Sequence, residues 1–353
     1  MFKHLLLAAL CLGMAACRQA PPMQPVATIV DLPSTGDQAG ALSGGPPPAA
    51  PVKAATLESG NWAAVEISSG EAFISCAAEP EEGDPGHALH DLSYASVSTL
   101  VRPCIRTGIV RLRYQGKIAT DFTALVERVA HIAERLRIET RILDLDSSGG
   151  HVEDAMKAGD AIGATRWMLS VRENAICHSA CVLILAAGDD RRIDGKVGIH
   201  RMIRVDSTAN SRAEVSQELR EVYAQMKDYL ERNGAAVAVA DLMMTVPNRK
   251  LRLLARNELE EYGLDGANAV QDDLERIRLT RKCGEDFVGR KDEFTRVFER
   301  ECVRPDTAPE QVDACGLALR ADYGFPDGKC PIESPLSQHD ANGDRASDQS
   351  GNQ

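Results

Sequence analysis

The chain has few of the residues that nucleic-acid recognition uses. Aromatic residues make up 4% of its 353 residues, and Asp and Glu outnumber Lys and Arg by 52 to 40, which gives a net charge of −12. Binding to nucleic acid needs clustered basic side chains and stacking aromatics. After residue 17 no apolar run approaches the ~20 residues that crossing a bilayer requires. The composition therefore argues against a nucleic-acid-binding protein and against a spanning helix.

The first 17 residues predict an export signal. A basic start and an apolar run over residues 5–14 precede two alanines and then Cys17. A cysteine directly after two alanines resembles a bacterial lipobox, which implies lipidation of Cys17. Cleavage near Ala16, as in an ordinary signal peptide, is the alternative. We expect a lipoprotein in the bacterial cell envelope that faces the periplasm and is held to the lipid bilayer by Cys17.

Composition divides the rest of the chain into five parts. Residues 18–55 are rich in Pro, Ala and Gly, which predicts a disordered tether. Residues 56–104 have a mixed pattern and no role that we can assign. Residues 105–270 carry the regular periodicity of a domain, and residues 271–335 form a Cys-rich C-terminal cap. The polar residues 336–353 predict a disordered tail.

The cysteines predict disulfide bonds. Of the ten, Cys11 lies in the signal and Cys17 is the predicted anchor. An even number of remaining cysteines in an exported protein indicates disulfides rather than metal ligands. Spacing leaves the pairing open, although the last four are close enough along the chain to staple the C-terminal cap among themselves. The eight candidates are Cys76, Cys104, Cys177, Cys181, Cys283, Cys302, Cys315 and Cys330.

Hydrophobic periodicity predicts a parallel sheet in the central domain. Residues 108–114 alternate as a half-buried strand, and residues 122–136 follow as an amphipathic helix. A short strand over residues 142–145, a helix over 152–163 and a strand over 169–171 repeat the pattern. Strands that alternate with helices in this way form parallel sheets with helical crossovers.

Residues 145–200 contain the candidate catalytic residues. Gly149 and Gly150 follow a strand, and a glycine pair lets backbone N–H groups approach a substrate closely. Ser179 precedes an apolar helix that ends at Gly188, where we expect a left-handed cap. His200 follows the next strand. A serine, a histidine and exposed backbone donors are the groups that acyl transfer requires.

The order and spacing of these features resemble the proteolytic subunit of Clp protease and exported proteins of the wider Clp-protease/crotonase superfamily. The matching features are Asp146-Ser147-Ser148-Gly149-Gly150, Ser179 before an apolar helix, His200 after a strand, and Glu261-Tyr262-Gly263-Leu264. The resemblance covers about residues 105–270. It implies an α/β fold, a spiral of ββα units with a parallel sheet, to which this chain adds a small disulfide-stapled C-terminal appendage.

The resemblance also implies residue roles. Ser179 would be the nucleophile and His200 its general base, and the N–H groups of Gly150 and Ala180 would form the oxyanion hole. The acid of the family falls here on Pro247 or Asn248. An asparagine orients an imidazole through its side-chain oxygen but supplies no charge.

Several neighbouring residues are alternatives or bystanders. Asp241 lies one helix before the expected acid and is a substitute for it. Lys196 or Lys250 would serve a Ser–Lys dyad but is less well placed than His200. His151, beside the glycine turn, is a candidate lining residue. His178 is adjacent to Ser179 and is predicted to face elsewhere.

The predicted function is an ATP-independent serine peptidase that cleaves extended peptides in the envelope, without a metal or other cofactor. The alternative is a weak or inactive protein of the same fold that binds peptides or scaffolds an assembly, which the missing acid favours. A coenzyme A thioester enzyme is disfavoured because its substrates are cytoplasmic. Superfamily members form rings or stacked trimers, so the resemblance also implies a homo-oligomer. Cys177 and Cys181 flank Ser179, and they would pair with each other, with Cys104 or with another cysteine in a structural disulfide.

Overall fold

A computed structural model describes residues 29–31, 42–43, 60, 62–79, 85–204, 207–304 and 307–340. The predicted signal with Cys17, most of the predicted tether and the tail after residue 340 lie outside the described residues. The predictions made for those segments therefore remain predictions.

The described residues form strands and helices in alternation. The strands are β1 (Ile29–Asp31), β2 (Leu42–Ser43), β3 (Gly70–Ser75), β4 (His87–Leu89), β5 (Ile109–Gly116), β6 (Thr140–Asp146), β7 (Met168–Val171), β8 (Ile176–His178), β9 (Asp190–Ile193), β10 (Lys196–Ile199), β11 (Ile203–Arg204), β12 (Lys250–Leu253) and β13 (Gly266–Ala267). The helices are α1 (Tyr94–Val101), α2 (Thr120–Arg135), α3 (Val152–Thr165), α4 (Cys181–Ala186), α5 (Arg212–Arg232), α6 (Ala238–Thr245), α7 (Arg256–Glu261), α8 (Ala269–Cys283), α9 (Glu285–Glu301) and α10 (Pro309–Asp322).

The larger sheet has the strand order β13-β9-β7-β6-β5-β3-β4. Its central strands β5, β6, β7 and β9 are parallel, whereas β3, β4 and β13 pair antiparallel at the two sides. Parallel neighbours need a crossover connection, and α2 and α3 provide it between β5, β6 and β7. The predicted α/β class with a parallel sheet is confirmed.

The larger sheet buries one face under helices. Val110, Leu112 and Tyr114 alternate along β5 and are fully buried in the main core. The side chains between them point to the other face, where the buried guanidinium of Arg111 pairs with Asp144 at 2.7 Å. A buried carboxylate needs such a partner. This alternation explains why residues 108–114 have the sequence pattern of a half-buried strand.

A second sheet has the order β1-β12-β10-β8 and includes the strands that precede Ser179 and His200. Strands β8 and β10 are parallel, and β12 and β1 add to them antiparallel. A separate pair joins β11 to β2 in parallel. Strands β1 and β2 lie inside the predicted tether, so these five residues differ from the prediction of disorder. The outer edges of β11 and β12 pair with β2 and β1, because an extended segment of any composition can satisfy the backbone groups of a sheet edge.

Residues after about 279 form a cap with its own core. Phe287, Phe294 and Phe325 pack together with Leu279 in a cluster separate from the main core. The disulfide Cys283–Cys330 ties the end of α8 to the segment after α10, and Cys302–Cys315 ties the end of α9 to α10. The predicted C-terminal appendage, stapled among its own four cysteines, is confirmed.

The remaining four cysteine candidates also pair. Cys76 bonds to Cys104, which ties the end of β3 to the 3₁₀ turn Arg102–Arg106. Cys177 bonds to Cys181 across the residues that include Ser179. All eight candidates therefore form disulfides, and the open choice for Cys177 is resolved in favour of its near neighbour.

No helix in the part of the chain that the structure describes is both long enough and apolar enough to cross a bilayer.

Candidate active site

Ser179 lies in a tight turn between β8 and α4. Its backbone has φ 60°, in the left-handed region that non-glycine residues rarely adopt. Its N–H donates to the carbonyl of Gly198 in β10 at 2.8 Å. Such a conformation persists only where the surroundings enforce it, and in known structures it is concentrated at functional sites.

His200 directly follows β10, the parallel neighbour of β8. Gly198 pairs with His178, so the two strands end at the same edge and bring Ser179 and His200 to it together. Ser179 has 0% and His200 2% of its surface exposed. The two residues that the sequence proposed as nucleophile and base therefore follow the ends of neighbouring strands, and both are buried.

The ring of His200 is oriented by a backbone carbonyl. Its Nδ1 lies 3.0 Å from the carbonyl oxygen of Arg201. A carbonyl oxygen accepts and never donates, so Nδ1 carries the proton in the neutral ring and Nε2 is the basic nitrogen. This is the tautomer that a general base for a serine hydroxyl needs.

Asn248 contacts that same carbonyl rather than the imidazole. Its side-chain Nδ2 donates to the Arg201 oxygen at 3.0 Å. Because only the NH₂ end of the amide can donate to a carbonyl, the bond also fixes which way the amide points. The sequence predicted that Asn248 would orient the ring through its side-chain oxygen. The structure instead places Asn248 one bond further away, where it holds the carbonyl that holds His200.

The segment before Asn248 holds Arg201 from both ends. The Arg201 N–H donates to the carbonyl of Val246 at 2.8 Å. Its guanidinium donates to the carbonyl of Met244 from Nε at 2.9 Å and Nη2 at 2.6 Å. The orienting carbonyl is therefore part of a rigid backbone arrangement. Every residue has a backbone carbonyl, so the amino-acid sequence does not indicate which one contacts His200.

The glycine turn packs directly on the nucleophile. A Cβ on Gly149, whose φ is 103°, would lie 2.7 Å from the Cβ of Ser179 and 3.1 Å from the N of Ala180. A Cβ on Gly150 would lie 2.0 Å from the carbonyl oxygen of Ile118. The contacts at 2.7 Å and 2.0 Å are shorter than real Cβ atoms allow, so only glycine fits at these two positions. The absence of a side chain is what lets the backbone of this pair approach Ser179 and Ile118 closely.

The two predicted oxyanion donors lie at this contact. The carbonyl of Gly149 and the N–H of His151 bond to Ile118, each at 2.8 Å. In such a parallel bridge the N–H of the central residue, Gly150, points away from Ile118. The N–H of Ala180 belongs to the peptide unit that follows Ser179, against which Gly149 packs. The N–H groups of Gly150 and Ala180 thus belong to the two segments that meet at this contact.

Asp146 and Ser147 align the glycine turn with β8. The carboxylate of Asp146 accepts from the N–H of Ile176 at 3.1 Å. Ser147 donates to Ile176 at 2.7 Å and accepts from the N–H of His178 at 2.9 Å. Its hydroxyl accepts from the N–H of Gly149 at 3.1 Å. Asp146 and Ser147 therefore join the glycine turn to β8, the strand that precedes Ser179.

Burial keeps both histidines of the site neutral. It lowers the pKa of His200, and the bond to the Arg201 carbonyl opposes that shift only in part. Burial, with a smaller effect from His200, lowers the pKa of His178 to about 4. The Nε2 atom of His178 is buried without a hydrogen-bond partner. At neutral pH the site therefore contains an unprotonated base.

His151 forms a separate pair beside the glycine turn. Its Nδ1 lies 3.0 Å from a carboxylate oxygen of Asp154, one turn later in α3. The side chain of His151 is partly exposed, with 35% of its surface accessible. This contact directs the ring to Asp154, and the role of His151 as a lining residue stays a prediction.

The alternative acid and bases lie elsewhere. Asp241 is exposed and accepts a hydrogen bond from the hydroxyl of Tyr223. Lys196 is exposed and begins β10, so three residues of strand, about 10 Å, separate it from the end that carries the site. Lys250 begins β12 and its side chain is exposed, whereas Ser179 is fully buried. The geometry favours His200.

The candidate site is closed in this structure. A cavity of 460 Å³ lies away from it, at the end of β3, where Arg111 and Arg113 line the wall. Next to the site, β2 pairs with β11, which begins three residues after His200, and also contacts α3. Among the described residues no group of three or more His, Cys, Asp or Glu side chains is placed to hold a metal ion.

Comparisons with known proteins find likeness in structure only. No protein-family model matches the chain, and no curated protein matches its sequence. Solved structures that are similar in part include a mutant of the membrane-bound stomatin-specific protease 1510-N, at 19% identity over 46% of this chain and 81% of that one, with a TM-score of 0.36. A second mutant of that protease, in complex with a substrate peptide, has 17% identity over 46% and 76% and the same TM-score, 0.36. A mutant of ClpP1 from Listeria monocytogenes has 17% identity over 47% and 93%, again with a TM-score of 0.36.

Proposed function

We propose that this protein is an envelope serine peptidase that cleaves extended peptides by Ser/His acyl transfer and does not use ATP. The observation that carries the proposal is that Ser179 and His200 follow the paired strands β8 and β10, while the glycine turn packs on Ser179. A serine in a left-handed turn and a neutral imidazole of defined tautomer, at neighbouring strand ends, support nucleophilic catalysis.

The reaction follows from the atoms in place. His200 Nε2 removes the proton as Ser179 Oγ attacks the peptide carbonyl. The N–H groups of Gly150 and Ala180 donate to the oxyanion that develops on the carbonyl oxygen. His200 then passes the proton to the leaving amine, and water hydrolyses the acyl enzyme by the same steps in reverse order.

The carbonyl of Arg201 replaces the carboxylate of a complete triad. It accepts the Nδ1 proton and keeps the ring oriented, at 3.0 Å. A carbonyl dipole stabilises the imidazolium less than a full negative charge does, because hydrogen bonds to charged groups are about twice as strong. We therefore expect slow turnover but intact acylation chemistry.

An extended peptide backbone already lies next to the site. Leu42 and Ser43 pair in parallel with Ile203 and Arg204, immediately after His200. This supports the strand edge of β11 as a place where a peptide adds by backbone hydrogen bonds. It also gives a reason for the burial of the site, since the chain's own segment contacts both β11 and α3.

The location is part of the proposal. The predicted lipobox at Cys17 would hold the protein on a bilayer, and four disulfides suit an oxidising compartment. A peptidase outside the cytoplasm has no nucleotide supply, which is why we propose that it acts without an ATPase. We also retain the proposed homo-oligomer, for which the exposed, charged first half of α5 offers a surface.

A catalytically silent peptide-binding or scaffolding protein is the second candidate. The complete burial of Ser179 favours it, because substrate reaches the hydroxyl only after a rearrangement. The two candidates differ in one measurable property, the nucleophilicity of Ser179.

Labelling by a fluorophosphonate probe tests the proposal. The soluble protein lacking residues 1–20 is incubated with the probe, alongside the variants Ser179→Ala and His200→Ala. We expect wild type to be labelled and to cleave unfolded protein substrates, and both variants to lose these activities. Absence of Ser179-dependent labelling in folded protein would favour the scaffold instead.

A further inference from the structure

The disulfide Cys177–Cys181 encloses the proposed nucleophile and one of its oxyanion donors. Its two cysteines are four residues apart, with Cα atoms separated by 5.2 Å. Cys177 belongs to β8, and Cys181 is the first residue of α4. The ring that it closes contains His178, Ser179 and Ala180. Both cysteines are fully buried in the main core.

The enclosed turn is held in an unfavourable backbone conformation. Ser179 has φ 60°, its N–H donates to the carbonyl of Gly198, and its carbonyl accepts from the N–H of Val182 at 3.0 Å. On the other side, Gly149 packs against Ser179 with no space for a Cβ. A small relaxation of the turn would therefore move the hydroxyl and the Ala180 N–H relative to the glycine pair.

We propose that the Cys177–Cys181 disulfide is a positioning element for acylation, which holds Ser179 and the Ala180 N–H in the reactive geometry. This rests on the proposed function and deepens it. By fixing both ends of a three-residue turn, the bond sets the direction of the Ser179 side chain and of the adjacent peptide N–H together. It links β8, which carries the nucleophile, to α4, which follows it.

Global stability is a poor explanation for a bond at this position. A disulfide stabilises the fold more when it closes a longer loop in the unfolded chain. Cys177 and Cys181 are separated by 4 residues, whereas Cys76 and Cys104 in the same domain are separated by 28. The bond around Ser179 therefore constrains the unfolded chain least while it constrains the turn of the nucleophile most.

The proposal makes activity depend on the redox state of this pair. A dithiol reductant would supply two electrons and two protons, which convert the disulfide to two thiols while the reductant becomes a cyclic disulfide. The turn is then held only by its hydrogen bonds. Reoxidation would restore the ring, so the oxidised protein of the envelope is the active form.

The experiment compares two disulfides in the full mature chain. We would measure the rate of Ser179 labelling by the fluorophosphonate probe, separated into reversible binding and maximal acylation rate, for wild type, Cys177→Ser/Cys181→Ser and Cys76→Ser/Cys104→Ser. Melting temperatures are recorded for all three. Cys177→Ala/Cys181→Ala repeats the test with apolar side chains, in case buried hydroxyl groups impair folding.

We expect the variants without Cys177 and Cys181 to bind the probe as wild type does but to acylate about 10- to 100-fold more slowly, which is the cost of a nucleophile misplaced by up to 1 Å. The Cys76/Cys104 variant should lose more thermal stability and acylate at close to the wild-type rate. Reduction strong enough to open the buried Cys177–Cys181 bond should slow wild type and leave Cys177→Ser/Cys181→Ser unchanged.

Two results would overturn the proposal while leaving the proposed function intact. One is an acylation rate equal to wild type in a folded protein without Cys177 and Cys181. The other is an equal loss in the Cys76/Cys104 variant at a temperature where it is folded. A wild-type protein that is never labelled at Ser179 would instead overturn the proposed function, and this inference with it.

Discussion

Asn248 donates a hydrogen bond to the carbonyl oxygen of Arg201 at 3.0 Å, and the same oxygen faces Nδ1 of His200 at the same distance. The order of contacts is therefore amide, backbone carbonyl, imidazole. An asparagine that supports a carbonyl needs its NH₂ group, whereas one that replaces an acid would need its oxygen. This difference determines how substitutions at residue 248 should behave.

Replacing Asn248 separates these two roles. Asn248→Ala removes one hydrogen bond worth about 1 kcal/mol, so Ser179 labelling should slow by roughly fivefold. Asn248→Asp should be slower still, because a carboxylate would face a carbonyl oxygen with no proton between them. The labelling rate at pH 7.5 is the measurement, with circular dichroism as the folding control. A faster Asn248→Asp variant would show that the residue orients the ring directly.

The labelling rate should persist into mildly acidic solution. Burial lowers the pKa of His200, so the imidazole stays neutral and basic below its ordinary pKa of about 6.5. The acid limb of the rate profile for the free protein should therefore have its midpoint below pH 6.5. Labelling rates measured from pH 4.5 to 8 test this. A midpoint at or above pH 6.5 would contradict the burial of the base.

Acid should destabilise the fold through His178. Burial holds its folded pKa at about 4. In the unfolded chain it is about 6.5, so the unfolded state binds the proton more readily. The stability that this group contributes is present above pH 6.5 and is lost as the pH falls towards 4. At pH 5 the loss is about 2 kcal/mol. Asp146, Lys196 and His200 are the charged or titratable neighbours that act on it.

The variant His178→Phe keeps a flat aromatic ring but has no group at residue 178 that binds a proton. Its loss of stability between pH 7.5 and pH 5, from urea unfolding curves, should be smaller than that of wild type. His200 titrates in both proteins, so the difference isolates His178. Equal losses in the two proteins would contradict the prediction.

Gly149 should tolerate no side chain. Gly149→Ala adds a Cβ at 2.7 Å from that of Ser179, which should cost about 1–3 kcal/mol beyond the backbone strain and stop labelling. Gly284 provides a matched control, since it has the same φ of 103° but no atom within 4 Å of an added Cβ. Gly284→Ala should show the backbone strain alone and label normally. Similar stability losses in both would indicate that φ, not contact, requires glycine at 149.

Opening the edge of β11 should speed the reaction. Consecutive N–H groups of a strand point to opposite sides, so proline at both residue 42 and residue 43 removes whichever N–H faces β11 in the pairing with Ile203 and Arg204. If β2 shields the site, Leu42→Pro/Ser43→Pro should raise the labelling rate several-fold. The variant Thr208→Pro, at an exposed residue near β11, controls for added proline. A rate that is unchanged or lower would assign β2 no shielding role.

The sequence predicted most of the scaffold because its signals are local. Alternating residues in β5 and the apolar stripe of α2 each report which face is buried, and the capping box at Ser211 and Glu214 marks the start of α5. Strand and helix order predicted that Ser179 and His200 follow strands, and these strands, β8 and β10, are neighbours.

The parts that the sequence missed depend on backbone atoms or on distant packing. The contact of His200 with the Arg201 carbonyl could not be predicted, because it does not depend on the side chain at residue 201. Gly188 was predicted to be a left-handed cap, but it is absent from the residues with positive φ. It is small because a Cβ there would lie 2.7 Å from the side chain of Leu169. Strands β1 and β2 were missed because proline-rich composition gives no sign of an available sheet edge elsewhere in the chain.

If Cys17 carries a lipid, the pairing of β1 with β12 would set how far the domain can stand from a membrane. Only eleven residues, 18–28, lie between that anchor and Ile29. Fully extended, they span about 40 Å, whereas a tether that first met the domain near residue 60 would span about 150 Å. A short reach of this kind would confine the protein to substrates that emerge from, or lie on, the same bilayer surface.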